Sequence, residues 1–245
     1  MFRLLYVELL KIRRSLALLM MFAIPMLVVV LNALILTKQH ELHAISPKHW
    51  MQYWSGVTGI WSYFMLPLYI ALVTGLLNGQ EHKNQTWRLM LTLPVSQLDL
   101  YVVKAVLAWL FVVGATAVLI VGASMVVALI GVLGGTMEGS LAFSSWPVIA
   151  KVMLTCLPVL VVQHAVSWRF SNLVLPLAVG VVATMGITQI GSSSYWVYYP
   201  WTYSVMANMG SDPLMQQKAL TLAAAVGLGL FGASAVWLGR RDVEN

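Results

Sequence analysis

The chain has 245 residues, of which 60% are hydrophobic and only 9% charged. A soluble domain carries roughly 25% charged residues, so these few cannot cover a water-facing surface, and a soluble globular protein is excluded. The net charge of +6 sits in short segments between apolar runs, which points to membrane orientation rather than nucleic-acid binding and to a single membrane domain over residues 1–245.

In residues 1–16, Phe2, Leu5, Leu9, Ile12 and Leu16 recur at steps of three and four, while Arg3, Lys11 and Arg14 fall largely elsewhere around the helix. That pattern predicts an amphipathic helix lying in the inner headgroup layer. Six apolar stretches follow, each near the 20 residues that a helix needs to cross the hydrocarbon: Ala17–Leu36, Val57–Asn78, Val102–Leu133, Trp146–Val166, Asn172–Ile190 and Ala219–Leu238. The first is long enough to span and lacks a clear cleavage site, so it reads as a span and not as a signal peptide. The third is longer than a simple crossing; it either tilts or bends back near Gly131, Gly134 and Gly135. Barrel-type alternation is missing from the sequence, so the expected fold is an all-α membrane protein of six transmembrane helices.

Basic residues set the orientation. Ten of the 14 lie on one side: Arg3, Lys11, Arg13, Arg14, Lys83, Arg88, Lys104, Arg169, Arg240 and Arg241. The other side has Lys38, Lys48, Lys151 and Lys218. The basic side faces the cytoplasm, which puts both termini inside. Lys151 is expected to snorkel to the outer interface.

Pro25, Pro67, Pro158 and Pro176 fall inside spans and predict kinks. Gly75 and Gly79 form a G-x-x-x-G that permits close helix packing. Asn32, Gln163, His164 and Gln189 are polar within the spans and should face protein or a cavity. Cys156, the single cysteine, lies in an apolar run and forms no internal disulfide. On the outer side, His40, His43 and His49 with Glu41 read as a solvated loop rather than a metal site. Residues 191–218 form an aromatic outer segment; Tyr195, Trp196, Tyr198, Tyr199, Trp201 and Tyr203 surround Pro200. Tyr195, Trp196, Tyr199 and Trp201 read as an interfacial belt or as an outer gate.

The most informative stretch is the cytoplasmic loop at 80–96. Thr86 is placed to cap a short helix starting at Trp87, and Pro94 to end it. Trp87, Met90 and Leu91 then share one side, fitted to a groove on a partner.

Glu81, Thr86, the run Leu91-Thr92-Leu93-Pro94-Val95-Ser96 and Lys104 resemble the pattern of type-2 ABC transporter permeases. The amphipathic start and six-span layout extend the likeness over the chain, and the length looks like the small permeases of bacitracin-resistance and lantibiotic-immunity exporters. Gln97 departs from it, since that position is often arginine in the family. The resemblance implies that 80–96 is a coupling helix, with Glu81, Thr86, Trp87, Arg88, Met90, Leu91 and Pro94 facing a separate ABC ATPase subunit. Glu81 is then expected to pair with Lys83, Arg88 or Lys104. It also implies a second permease subunit, identical or homologous, and short re-entrant helices on the outer side.

No lysine here follows a glycine, so there is no G-K-[ST] phosphate cradle. ATP and magnesium are therefore expected on the partner, with no cofactor on this chain. The expected function is a transport subunit of the bacterial cytoplasmic membrane that exports a hydrophobic or amphipathic cargo. A secondary transporter or channel is the alternative, but its usual mid-membrane ionisable groups are almost missing from the spans. An intramembrane protease is disfavoured because no span carries an H-E-x-x-H or a serine–histidine pair.

Overall fold

The computed structural model describes residues 2–13, 15–83, 96–140, 145–170 and 172–243. Every regular element among them is helical. The α-helices are α1 (Phe2–Ile12), α2 (Leu16–Gln39), α3 (Pro47–Ile60), α4 (Leu66–Lys83), α5 (Gln97–Val132), α6 (Pro147–Thr155), α7 (Leu157–Arg169), α8 (Val174–Ile190), α9 (Tyr203–Met209) and α10 (Pro213–Val243). Four helical stretches are long and apolar enough to cross a membrane: Leu16–Gln39, Pro47–Gly79, Gln97–Val132 and Pro213–Leu238. The bent pair α6–α7 makes a fifth, and Val174–Ile190 is a shorter apolar helix. An apolar solvent surrounds such helices at no cost, which is why α2 leaves Leu19, Phe22, Leu27, Val30 and Leu34 exposed.

The second span begins at Pro47, ten residues before the expected Val57, so part of the presumed outer loop is helix. Trp50, Tyr53, Trp54 and Val57 recur at helical spacing and are all buried. Their polar atoms bond backbone carbonyls at the outer end of α5 and beyond it. Trp50 Nε1 donates to Thr136 O (3.1 Å), Tyr53 OH to Ala123 O (3.1 Å) and Trp54 Nε1 to Ser140 O (3.0 Å). His49 closes the capping box of this helix, its Nδ1 accepting from Ser46 N at 3.1 Å, and its ring stacks on His40 at 3.6 Å. Among the described residues no three His, Cys, Asp or Glu side chains gather into a metal-ligand group.

The prolines act differently from one another. Between α3 and α4, Trp61–Met65 is a π turn in which Leu66 N–H bonds Trp61 O. Pro67 follows at once and offers no N–H, and the wider turn accommodates its ring. Pro158 sits at the start of α7, where the chain bends by 48° after Thr155. Cys156 is fully buried in that break, and α10 crosses it at Gly227, where an added Cβ would lie 2.6 Å from Leu157 Cβ. Pro176 occupies the first turn of α8, where a missing N–H costs nothing.

The long α5 does not bend back. It runs unbroken for 36 residues, about 54 Å at 1.5 Å per residue, and stops in a Schellman cap. Gly135 N bonds Ile130 O (2.9 Å), Gly134 N bonds Gly131 O (3.1 Å), and Gly134 has φ 86°. The last span likewise starts early, at Pro213 instead of Ala219, so residues 213–218 are helix.

Of the two glycines in the G-x-x-x-G, only Gly75 is at a contact; a Cβ there would meet Leu173 Cδ1 at 2.5 Å, whereas Gly79 has open space around it. The tight crossing of α4 is made instead by Gly180 of α8, whose added Cβ would sit 2.6 Å from Ala71 Cβ.

Candidate functional site

The loop 84–95, and with it Thr86, Trp87, Arg88, Met90, Leu91 and Pro94, lies outside the described residues. Glu81 lies in the last turn of α4, and its side chain lies outside them too. What is defined is the pair of helix ends that hold this loop. α4 runs to Lys83, and α5 begins at Gln97 behind Ser96, whose hydroxyl accepts from Asp99 N at 3.0 Å. That cap fixes the point where the chain re-enters the bundle.

Close to these two helix ends is a layer of buried polar groups. Lys104, about two turns into α5, is 2% exposed. Its ammonium donates to Leu77 O of α4 (2.8 Å) and pairs with Glu8 Oε2 of α1 (3.1 Å). Glu8 is also 2% exposed, and its other oxygen pairs with Lys11 at 2.5 Å. A buried charge is tolerated only when paired and hydrogen-bonded, and here each of the two charges has at least two partners. Sequence reasoning expected Glu81 among the acids near Lys104 and did not single out Glu8. The signal was there: one acid in a basic, otherwise apolar N-terminal helix.

The pair also re-aims α1. Leu5, Glu8 and Ile12 face the protein, while Tyr6, Leu9 and Leu10 form the exposed face, continued by Arg13 just past the helix. Leu9 therefore separates from the Leu5/Ile12 face on which the sequence periodicity placed it, because the buried ion pair decides which side turns inward.

One residue beyond Leu77, Asn78 Nδ2 donates to Ser167 Oγ (2.6 Å) and meets His164 Nδ1 (3.1 Å) of α7, while His164 Nε2 meets Tyr101 O (3.1 Å) of α5. A carbonyl only accepts and an amide NH₂ only donates, so the His164 hydrogen is on Nε2. The Tyr101 ring lies 4.4 Å from His164, edge-on to Trp168 (5.2 Å), and stacks near Phe231 of α10 (6.1 Å). Gln163 reaches α8, its amide spanning Pro176 O (3.1 Å) and Gly180 N (3.2 Å). Asn32 bonds Val28 O of its own helix and is buried against α3. Gln189, in contrast, is exposed, one residue before α8 ends. It sits where the helix leaves the apolar layer, so it needs no protein partner.

The outer aromatic segment is a second compact unit. Tyr195 and Tyr198 are exposed, but Trp196 is buried with Tyr203, Met206 and Ala207 against the start of α10. Tyr199 lies on α8: its hydroxyl donates to Ala183 O (2.5 Å), and Gly186 leaves the room. Burial raises its pKa. Trp201 stacks on Tyr199 at 5.7 Å. The short helix α9 is buried from Tyr203 to Ala207 and tied on several sides. Ser204 bonds Thr155 (3.0 Å), Asn208 bonds Ser62 of the π turn (3.2 Å), and Lys151 Nζ donates to Ala207 O (2.7 Å) and Gln216 Oε1 (2.8 Å). Lys151 thus caps the carbonyl end of α9, where the helix dipole favours a cation.

The sequence of residues 4–187, from α1 to the last turn of α8, matches the family described as ABC-2 family transporter protein. No curated protein and no solved structure matches the chain. The match covers more than half of the chain and takes in every element of the polar layer up to Gly180, and the chain belongs to the ABC-2 family of transporter membrane proteins.

Proposed function

We propose that this chain is the permease subunit of an ATP-driven exporter in the bacterial cytoplasmic membrane, with a separate ATPase subunit bound at the loop 84–95. Six crossings fit the helices: α2, α3–α4, α5, α6–α7, α8 and α10. One observation carries the reading. The buried layer of Glu8, Lys104, Leu77 O, Asn78 and His164 joins both ends of that loop to α1 and α7. A force on the loop is then delivered to a rigid block of four helices and not to one flexible end. The apolar spans suit a hydrophobic or amphipathic cargo, such as a peptide antibiotic or lipid-like molecule. The aromatic unit around Tyr199 and Trp201 lies at the opposite end and is the natural outer gate. A second permease subunit, a copy or a homologue, completes the pathway.

The test is Trp87→Ala. An aromatic anchor at an interface centre costs about 2 kcal/mol or more when truncated. The variant should insert normally yet lose co-purification of the ATPase or lose transport at matched expression. Unchanged co-purification together with unchanged transport would show that the loop is not the docking element.

A further inference from the structure

Residues of α1, α2 and α5 line an open cavity of about 340 Å³. One turn further out, α2 and α5 close together at Gly114, where an added Cβ would lie 2.6 Å from Met21 Cε. Inward of that contact the two helices are separated, and α1 crosses beneath them, fixed there by the Glu8–Lys104 pair. Leu18 and Met21 line one wall and Leu110 and Phe111 the other, with Ile12 at the base. The opening is sideways, past Leu9 and Leu110, which are 43% and 40% exposed. Arg13 is the one charged residue among the described residues lining the cavity, and it is exposed.

Water inside such a space would find too few polar partners. In a bilayer the apolar matter at hand is the acyl chain. A chain gains little by moving from lipid into an equally apolar groove, so selectivity has to come from the headgroup, and among the described lining residues the charge is the Arg13 guanidinium. We propose that this groove is a binding site for one anionic phospholipid of the cytoplasmic leaflet, with an acyl chain between α2 and α5 and its phosphate at Arg13. The choice of leaflet rests on the orientation proposed above. If that orientation fails, the site moves to the other leaflet and the bound lipid remains.

The probe is phosphatidylglycerol, compared with phosphatidylcholine of the same chains, added to the purified full chain in detergent and counted by native mass spectrometry. One phosphatidylglycerol should be retained per chain in preference to phosphatidylcholine. Arg13→Gln should weaken phosphatidylglycerol retention about fivefold, the effect of one basic residue at an anionic surface, and leave phosphatidylcholine unchanged. Lys48→Gln, at an exposed basic position on the other side, should change neither. Leu110→Trp fills the groove and should remove the retained lipid; Leu18→Phe serves as a milder filler, and a melting curve reports folding of both. Three results would overturn the site: equal losses in Arg13→Gln and Lys48→Gln, lipid that persists in a folded filler variant, or equal competition by glycerophosphoglycerol, which has the headgroup and no chains. A lipid-free dimer that occupies the groove instead would overturn it as well.

Discussion

At the scale of single residues, the ion pair at the base of the bundle dominates. Removing one partner of a buried pair costs about 3–5 kcal/mol, because the other charge is stranded. Lys104→Ala should therefore lower the detergent melting temperature sharply. Lys11→Ala, which strips a more exposed partner from the same carboxylate, should cost about 0–1 kcal/mol. The double change Glu8→Leu with Lys104→Met should recover most of the stability, and equal melting of the two single variants would show that the pair is not the anchor. Glycine offers a second comparison. Gly180→Ala pushes a methyl against Ala71 and should destabilise by about 1–3 kcal/mol, whereas Gly79→Ala, with open space around it, should be tolerated. Of the two glycines the sequence offered for close packing, Gly75 is at a contact and Gly79 is not, and Gly180 was missed, because spacing along one helix says nothing about where a neighbour crosses. Glu8 escaped notice for the same reason: its partner is 96 residues away, on another helix.

At the scale of elements, the helices follow from hydropathy, and their ends follow from local chemistry. The Schellman glycines end α5, and the capping box of Ser46 and His49 starts α3. Both were present in the sequence, and the second was hidden by reading the histidines as loop. The outer helix α9 is different. Seven residues are too few to be stable alone, so its position depends on Lys151, Gln216, Ser204 and Asn208. Lys151→Met removes the cap on its carbonyl end. Hydrogen exchange of the α9 amides should then rise at least several-fold, with exchange in α5 unchanged; unchanged exchange in α9 would mean that Lys151 does not hold it. Loosening α9 also loosens the packing of Tyr203, Met206 and Ala207 against Trp196, so the same variant tests whether the aromatic unit moves as one piece.

At the scale of the whole molecule, the asymmetry of basic residues predicts that both termini and the Glu81–Ser96 loop are cytoplasmic, with His43, Glu138 and Tyr199 outside. Single-cysteine labelling in a Cys156→Ser background checks this. Position 83 should react only after the membrane is permeabilised, and position 43 in intact cells; labelling at 83 from outside would reverse the arrangement. The sequence by itself determined the helical class, the approximate location of each apolar helix and the family, because these depend on composition along the chain and on local motifs. Lipid demands a hydrogen-bonded backbone and few charges, and both demands are legible one residue at a time. Only the tertiary structure decided which face of α1 turns inward, that Lys104 pairs with Glu8, that Lys151 caps α9, and that a groove opens beside Arg13. Each of these depends on side chains far apart in sequence meeting in an apolar interior, where a charge must find a partner and the packing of neighbouring helices selects which one.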